Sequence, residues 1–467
     1  MKARLQNGFG ILLILSFLGY SFLSTLSRKQ YYPSLLTYIG LFALFLALCW
    51  MAKTATEKRW ELFSAWLGNF FKAKSSFVAW LLAGVVLRLV LLWVTPWLSQ
   101  DFFRFIWDGH LSLNGFNPYL YLPDDLIVSG ADFIPNAEFL HASMGSLSSG
   151  HFTNYPPLNQ FFFAAAAYLG GDSLLHTVIW MRVFIILADV VTFIYGIKLL
   201  RLLGKPDWLI LLYYLNPFVI VELTGNLHWE GVMACFMLIG VYHFICYDKW
   251  RSGLFLGFGV LVKLLPVLVF PLVVRARKFK WIVLFYITAA VTIIAGFAPL
   301  VSGELIEKYA ASIGLWFGTF EFNASIYYVI RAIGYEVTGY NIIGTVGKIL
   351  PLITIAVIIL LSLLRQNKYP EVLLTSILLA FTTYLLLSTT VHPWYLTIPL
   401  LFSLFTRYRF MVVWSCLVFV SYSAYANADY SENFWWIGLE YGVVLFICIL
   451  ELTGKSIFSA RTNQLNR

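Results

Sequence analysis

Residues 76–109 read SFVAWLLAGVVLRLVLLWVTPWLSQDFFRFIWDG, an apolar run followed at once by charged residues. A helix needs about 20 apolar residues to cross a bilayer, and residues 76–98 supply that length. Similar runs recur along the chain, which predicts an all-helical integral membrane protein with about 12 spans. The predicted spans are 9–26, 34–52, 76–98, 175–197, 207–224, 230–247, 281–300, 343–364, 371–389, 410–426 and 435–452, with a shorter run at 394–405.

The composition agrees with a membrane protein. Of the 467 residues, 60% are apolar and 12% are charged, whereas a soluble domain carries about 25% charged residues. The net charge of +9 does not indicate a nucleic-acid partner, because the basic residues form small clusters between apolar runs. The five cysteines all lie in apolar runs without metal-ligand spacing, which supports neither a disulfide framework nor a zinc site. The sequence has no Gly-rich phosphate loop and no pair of acidic residues whose spacing demands a metal, so we expect no cofactor and no metal; carboxylates of the loops could still meet in the folded chain.

Two stretches are ambiguous. Residues 158–170 are too few to span comfortably, and residues 252–274 are interrupted by Lys263 and Pro266. The second stretch is either one kinked helix or a hairpin of two short helices. With the N-terminus in the cytoplasm, the hairpin places the basic residues of 275–280 on the cytoplasmic face with most of the other Lys and Arg residues, as the positive-inside rule requires. The hairpin is therefore favoured.

The opposite, outer face receives the long polar loop 99–157, which is rich in carboxylates. Asp101, Arg104 and Asp108 follow one another at i, i+3 and i+7, so a helix would present all three on one face. A short amphipathic helix at the membrane surface would then direct two carboxylates and one guanidinium toward a common cleft. The alternative is a surface helix with a solvated Asp101–Arg104 ion pair.

These residues carry a resemblance to a known family. The pattern Asp-x-x-Arg-aromatic-x-Trp-Asp-Gly at 101–109, followed by Gly-x-Asn-Pro-Tyr at 115–119, resembles the first outer loop of the GT-C superfamily of membrane glycosyltransferases. The mannosyltransferase-like branch is the most similar. Order and spacing also agree for four short stretches within residues 76–405, namely 154–158 (NYPPL), 225–230 (GNLHWE), 262–266 (VKLLP) and 392–395 (HPWY).

The resemblance implies a GT-C-like helical bundle divided into three regions. Residues 1–75 would form two additional N-terminal helices, without an assigned role, and a basic cytoplasmic loop. Residues 76–300 would be the catalytic module with loop 99–157, and residues 301–467 an outer loop with the C-terminal helices.

The resemblance also implies that Asp101 is the catalytic base. A sugar hydroxyl is a poor nucleophile, and a carboxylate within hydrogen-bond reach can take its proton during attack. Asp108 would orient the acceptor or support the site. The candidates for binding the donor's phosphate or sugar are Arg104, Tyr155, His228, Glu230, Lys263 and His392. Structural roles remain open for them: a snorkelling Lys263, a helix-capping His392, a His228–Glu230 polar pair, and a Tyr155 that directs the chain back into the membrane.

The expected function is transfer of a hexose, with mannose favoured, from a polyprenyl-phosphate donor to a lipid-linked or glycan acceptor, without a metal ion. The expected location is a bacterial inner membrane with the site on the periplasmic face, among membrane lipids. One alternative is a lipid or solute transporter or flippase, a class that often carries inverted repeats. Another is a polymerase or ligase of envelope glycans.

Overall fold

The computed structural model describes residues 2–57, 76–318, 320–427 and 429–454, and the regular structure in these ranges is helical apart from one isolated bridge between Phe322 and Thr390. The α-helices of the first part are α1 (Lys2–Leu23), α2 (Tyr31–Glu57), α3 (Ser76–Leu89), α4 (Asp101–Leu113), α5 (Pro123–Ser129), α6 (Ala137–Met144), α7 (Ser146–Ser149), α8 (Pro157–Gly170), α9 (Leu174–Leu202) and α10 (Leu211–Tyr214). Those of the second part are α11 (Glu230–Ile245), α12 (Lys249–Val262), α13 (Phe270–Val273), α14 (Phe279–Phe297), α15 (Leu305–Gly318), α16 (Ile326–Thr338), α17 (Ile343–Leu364), α18 (Pro370–Leu387), α19 (Thr397–Ser403), α20 (Phe410–Leu417) and α21 (Phe434–Leu452).

Shorter segments complete the bundle. Val219–Gly225 forms a π-helix. This geometry is rare in proteins, and where it occurs it is often at a functional site. The 3-10 helices are Asp207–Ile210, Leu265–Val269, Ala298–Leu300, Pro393–Leu396 and Val418–Ala426.

Six helices among the described residues are long and apolar enough to cross a membrane, which makes the chain a membrane protein. They are Tyr31–Thr56, Leu174–Leu202, Phe279–Leu300, Ile343–Leu364, Pro370–Leu387 and Phe434–Leu452; Asp207–Tyr214 and Val219–Gly225, bent by 56°, would together make a seventh. Four shorter apolar helices cover Asn7–Leu23, Phe77–Leu89, Glu230–Ile245 and Phe410–Ala426. The total of about 12 spans stays a prediction, and the predicted span 76–98 is α-helical only as far as Leu89.

Loop 99–157 folds into four short helices, of which α4 packs closely on α8. A Cβ added at Gly109 would lie 2.5 Å from the backbone oxygen of Phe163, so only glycine permits this approach. The ring of Phe105 stacks on that of Phe163 at 4.6 Å. Pro157 occupies the first turn of α8, where its missing N–H costs nothing. α8 therefore serves as a platform for α4.

Two buried arginines stabilise the helices below this platform. Arg88 Nε of α3 lies 2.8 Å from the Asp189 carboxylate of α9, and both side chains are fully buried. Arg182 donates to the carbonyls of Thr224 at 2.9 Å and Gly225 at 2.8 Å, at the end of the π-helix. These bonds satisfy donors and acceptors that would otherwise be unpaired in an apolar environment.

The segment 252–274 turns back at Lys263. Lys263 is extended (φ −149°, ψ 148°) after the end of α12. Pro266 lies 3.3 Å from the position of a Cβ on Gly259, and Arg277 covers the ring of Tyr247 at 3.8 Å. The two ends of the segment therefore lie near each other, as in a hairpin, with Lys263 at its tip.

The N-terminal helix pair packs against the C-terminal part of the chain. The Tyr38 hydroxyl donates to the carbonyl of Ser415 at 2.6 Å, and its ring stacks on Phe419 at 4.2 Å. The Tyr31 hydroxyl donates to Val420 at 3.4 Å. α2 thus contacts the segment 410–426 and completes that side of the bundle.

Candidate active site

Asp101 is the first residue of α4, and the chain leading to it is held in place by Asn226. The Asn226 side-chain oxygen accepts the backbone N–H groups of Trp97 at 3.2 Å and Leu98 at 3.0 Å. Asn226 directly follows the π-helix, whose last carbonyls are bound by Arg182. The stretch 225–230 therefore positions the entry to α4, a role that its place in the sequence did not indicate.

The Asp101 carboxylate has the properties of a base. Burial raises its pKa from 3.8 to about 6, and the positive charge of Lys263 opposes this rise. The negative charge of Glu230 adds to it. A carboxylate with this pKa is ionised at neutral pH and accepts a proton more readily than an exposed aspartate.

Lys263 and Glu230 form an ion pair beside Asp101. Lys263 Nζ contacts one oxygen of Glu230, the first residue of α11, and lies 5.3 Å from the centre of the Tyr155 ring. The second oxygen of Glu230 is buried and has no hydrogen-bond partner within the described ranges. The structure thus brings Lys263, Glu230 and Tyr155, which are far apart in sequence, to one side of Asp101.

Two histidines, His228 and His392, both stack on the ring of Trp394. The ring centres are 3.5 Å apart for His228 and Trp394, and 4.5 Å apart for His392 and Trp394. Burial, with a smaller effect of Lys263, lowers the pKa of His392 to about 3 and that of His228 well below its usual value, so both rings are neutral. Nε2 of His228 and Nδ1 of His392 are buried without a hydrogen-bond partner in the described part of the chain. A neutral imidazole can place its one proton on either nitrogen, so both atoms can serve a ligand.

The sequence analysis did not identify Glu222, which lies near His228, or Tyr422, which binds Glu222. The Tyr422 hydroxyl donates to Glu222 at 2.8 Å, and the same carboxylate lies 3.9 Å from His228 Nε2. Glu222 belongs to the π-helix and is buried. The signal was a glutamate inside the apolar run 207–224, because ionisable residues in spans are costly and often functional.

Arg104 and Asp108 pair with each other and do not belong to the group of candidates around Asp101 and Lys263. Arg104 Nε pairs with Asp108 at 2.7 Å rather than with Asp101, and its guanidinium also donates to the carbonyls of Ser148 and His151. The other Asp108 oxygen accepts from Gln160 of α8 at 3.2 Å. The pair therefore connects α4 to α8 and to the end of loop 99–157, whereas the remaining candidates surround Asp101 and Lys263.

An apolar groove of about 220 Å³ begins next to this cluster. Leu264 adjoins Lys263 in sequence, and Thr389 precedes His392 by three residues. The groove is lined by Leu264, Leu265, Leu268, Gly347, Leu350, Pro351, Thr354, Ile355, Tyr384, Leu387, Ser388 and Thr389. Within the described ranges, no three His, Cys, Asp or Glu side chains are placed to bind one metal ion.

The membrane-length helices and the family match together make the chain a membrane glycosyltransferase of the mannosyltransferase type. Residues 11–278 match the MptA_B family, described as the N-terminal domain of alpha-(1->6)-mannopyranosyltransferase, and the chain belongs to this family. The match begins inside α1 and so includes the two N-terminal helices. Among curated proteins, no match to the chain was found.

Proposed function

We propose that the chain transfers mannose from a polyprenyl-phosphate donor to a lipid-linked or glycan acceptor on the outer membrane face, with Asp101 as the base and without a metal ion. The observation that carries the proposal is the position of Asp101 beside Lys263 and the stacked, neutral His228 and His392. One carboxylate that can accept a proton thus faces groups that can bind an anion.

The donor's phosphate would bind to Lys263, His228 and His392. A leaving phosphate gains negative charge, and an ammonium group and imidazole N–H donors would stabilise that charge in a site shielded from water. The apolar groove that starts at Leu264 and continues between α17 and α18 suits an isoprenoid chain, since it offers carbon contacts along its whole length. Both features support a lipid-linked donor over a soluble nucleotide sugar.

In the reaction, the acceptor's oxygen forms a bond to the sugar C1 while the bond from C1 to the donor's phosphate oxygen breaks. The hydroxyl proton passes to Asp101, and polyprenyl phosphate leaves. This direct displacement inverts the configuration at C1. Glu230 and Tyr155 would hold Lys263, and the Arg104–Asp108 pair would hold α4 so that Asp101 stays in place.

The location follows from the same argument. A donor already linked to a lipid needs no cytoplasmic nucleotide, and the positive-inside topology predicts that the loops that build the site lie opposite the cytoplasmic clusters of basic residues. We therefore assign the site to the periplasmic face of a bacterial inner membrane. The basic residues of loop 58–75 and of the C-terminus after 454 lie outside the described residues.

Sugar transfer by purified protein in lipid tests the proposal. Radiolabelled polyprenyl-phosphate mannose is offered with a membrane glycolipid extract to wild type, Asp101→Asn and Asp132→Asn. Asp132 is an exposed carboxylate of the same outer loop and provides the matched control. Asp101→Asn should reduce transfer by about 10²- to 10⁴-fold, as expected for loss of a general base, while Asp132→Asn should retain it. Full activity of Asp101→Asn would disprove the role of Asp101 as the base. Transfer that occurs only from a nucleotide sugar would disprove the polyprenyl-phosphate donor.

A further inference from the structure

The segment 320–325, between α15 and α16, packs on the part of the chain that carries His392. The ring of Phe322 stacks on that of His392, with the centres 4.9 Å apart. The backbones pair as two strands would: the Phe322 N–H donates to the carbonyl of Thr389 at 3.2 Å, and the Phe322 carbonyl accepts the N–H of Val391 at 2.8 Å. One residue thus contacts both the ring of His392 and the backbone that leads to it.

The imidazole of His392 depends on such contacts for its position. Its Nδ1 is buried without a hydrogen-bond partner in the described part of the chain. The neighbours of the ring are aromatic, with Trp394 at 4.5 Å and Tyr395 at 5.5 Å besides Phe322. The orientation of the ring therefore follows from the positions of these neighbours, and for Phe322 from whatever fixes the segment 320–325.

The next residue, Asn323, fixes the backbone at Phe322. Asn323 has a φ of +46°, in the left-handed region that asparagine tolerates better than most residues. Its backbone N–H donates to one oxygen of Glu432, and its carbonyl accepts the hydroxyl of Tyr441 at 2.6 Å. The turn that directs Phe322 onto the histidine is thus held from the C-terminal part of the chain.

Glu432 is itself placed by the start of α21. Its neighbour Asn433 caps that helix by accepting the backbone N–H of Trp435 at 3.0 Å. The second oxygen of Glu432 accepts the hydroxyl of Tyr328, in the first turn of α16. Both oxygens of this carboxylate are therefore used, one at the backbone before α16 and one at α16 itself.

We propose that Glu432 and Phe322 are positioning residues that hold His392 in place for the donor's phosphate. Glu432 fixes the backbone at Asn323, and Phe322 passes this constraint to His392 through its ring and its two backbone bonds. Hydrogen bonds to a carboxylate are stronger than those between neutral groups, which suits an anchor. The inference rests on the proposed function for the role of His392 and adds the residues that keep it in place.

Labelling of the histidines measures the position of His392 without any substrate. The full-length protein in nanodiscs reacts with diethyl pyrocarbonate, which acylates neutral imidazoles, and mass spectrometry gives the rate at each histidine. Wild type, Glu432→Ala, Glu432→Gln and Glu336→Ala are compared. Glu336 is an exposed carboxylate of α16, so its loss makes the same change in net charge. Glu432 contacts Asn323 and Tyr328 rather than the histidine, so its effect must be transmitted.

Glu432→Ala should raise the labelling rate of His392 about tenfold, the effect of one lost hydrogen bond to a charged group. Glu432→Gln should raise it less, because the amide oxygen still accepts the N–H of Asn323. Glu336→Ala should label as wild type, and His243, buried in the last turn of α11, should keep its rate in every variant. Unchanged labelling of His392 in Glu432→Ala would overturn the proposal, and so would a rise that His243 shares.

Donor kinetics connect the position of His392 to mannose transfer. Glu432→Ala should raise KM for polyprenyl-phosphate mannose, with kcat/KM for this donor falling about tenfold, and leave KM for the glycolipid acceptor unchanged. Glu432→Gln should regain part of the loss. A lower kcat with both KM values unchanged would indicate less folded enzyme and would overturn the positioning role. Faster labelling of His392 with unchanged donor kinetics would disprove its part in binding the donor, while its anchoring by Glu432 would stand.

Discussion

At the residue scale, the site depends on charges whose surroundings alter their chemistry. Asp101 is kept basic by burial, and Lys263 keeps it from losing its charge at neutral pH. His392 is kept neutral, so the cationic group of the cluster is Lys263. In the proposed reaction, Asp101 would act as the base beside a phosphate bound to Lys263 without an additional positive charge being buried.

The pKa of Asp101 predicts how activity depends on pH. The proton must go to a carboxylate, so the rate is full well above pH 6, half-maximal near pH 6, and lower below it as Asp101 becomes protonated. We expect kcat/KM to fall about tenfold per pH unit below about pH 6, measured as initial rates of mannose transfer.

His392 cannot produce this acid limb, because its pKa of about 3 lies well below the range. A profile that stays flat to about pH 4, where an ordinary aspartate titrates, would contradict the burial of the base in the working enzyme. The unfolding temperature, recorded at each pH, separates loss of structure from loss of the carboxylate.

At the scale of elements, α4 depends on its contact with α8. Gly109 allows the two helices to touch at backbone distance, and the Arg104–Asp108 pair with Gln160 joins them by hydrogen bonds. Asp101 lies two turns before Gly109 on the same helix. A small displacement at this contact therefore moves the base.

Gly109→Ala tests this dependence. Its Cβ would lie 2.5 Å from the Phe163 oxygen, so the helices must separate, at a cost of about 1–3 kcal/mol for overpacking. We expect Gly109→Ala to have a lower unfolding temperature. Its rate of mannose transfer should fall by more than the amount of folded protein falls. Gly303→Ala is the control, because a Cβ there meets no atom within 4 Å. Normal activity of Gly109→Ala would show that α4 tolerates displacement.

At the scale of the whole molecule, the N-terminal helix pair meets the segment 410–430 beside the site. α2 packs on the segment 410–426 through Tyr38, and the turn before α2 brings Arg28 to Tyr425. Asn226, from the middle of the chain, holds the residues before Asp101. The site is therefore assembled from segments that are hundreds of residues apart.

Tyr38→Ala should weaken the packing of α2 on the segment 410–426. The change removes a buried ring stacked on Phe419 and a hydrogen bond to Ser415, at a cost of about 3–5 kcal/mol of unfolding free energy. Tyr32→Ala, on the same helix and 67% exposed, should cost less than about 1 kcal/mol. Thermal unfolding in detergent measures both. Equal destabilisation would mean that the buried contacts of Tyr38 stabilise the bundle no more than an exposed ring of the same helix does.

Much of the architecture was predictable because it depends on local hydropathy. Runs of apolar residues predicted membrane helices, and the spacing of Asp101, Arg104 and Asp108 predicted that a helix, α4, carries them. The position of α4 at the membrane surface stays a prediction, since most of its side chains are buried and Arg104 pairs with Asp108. The family resemblance predicted the mannosyltransferase class, which the match over 11–278 confirms. The number of spans was harder, because a run such as 76–98 ends its helix early while remaining apolar.

The sequence by itself determined that this is a helical membrane protein of the mannosyltransferase family and that a helix lies near Asp101, because hydropathy and short motifs act over neighbouring residues. Only the tertiary structure decided which charges pair. It joined Arg104 to Asp108 and Lys263 to Glu230, and it brought the Glu222 carboxylate to 3.9 Å from the neutral ring of His228. It also placed Arg28 beside Tyr425. The physical reason is that ion pairs, ring stacks and desolvation depend on distances between distant segments, which the packing of the helices sets and the order of residues does not express.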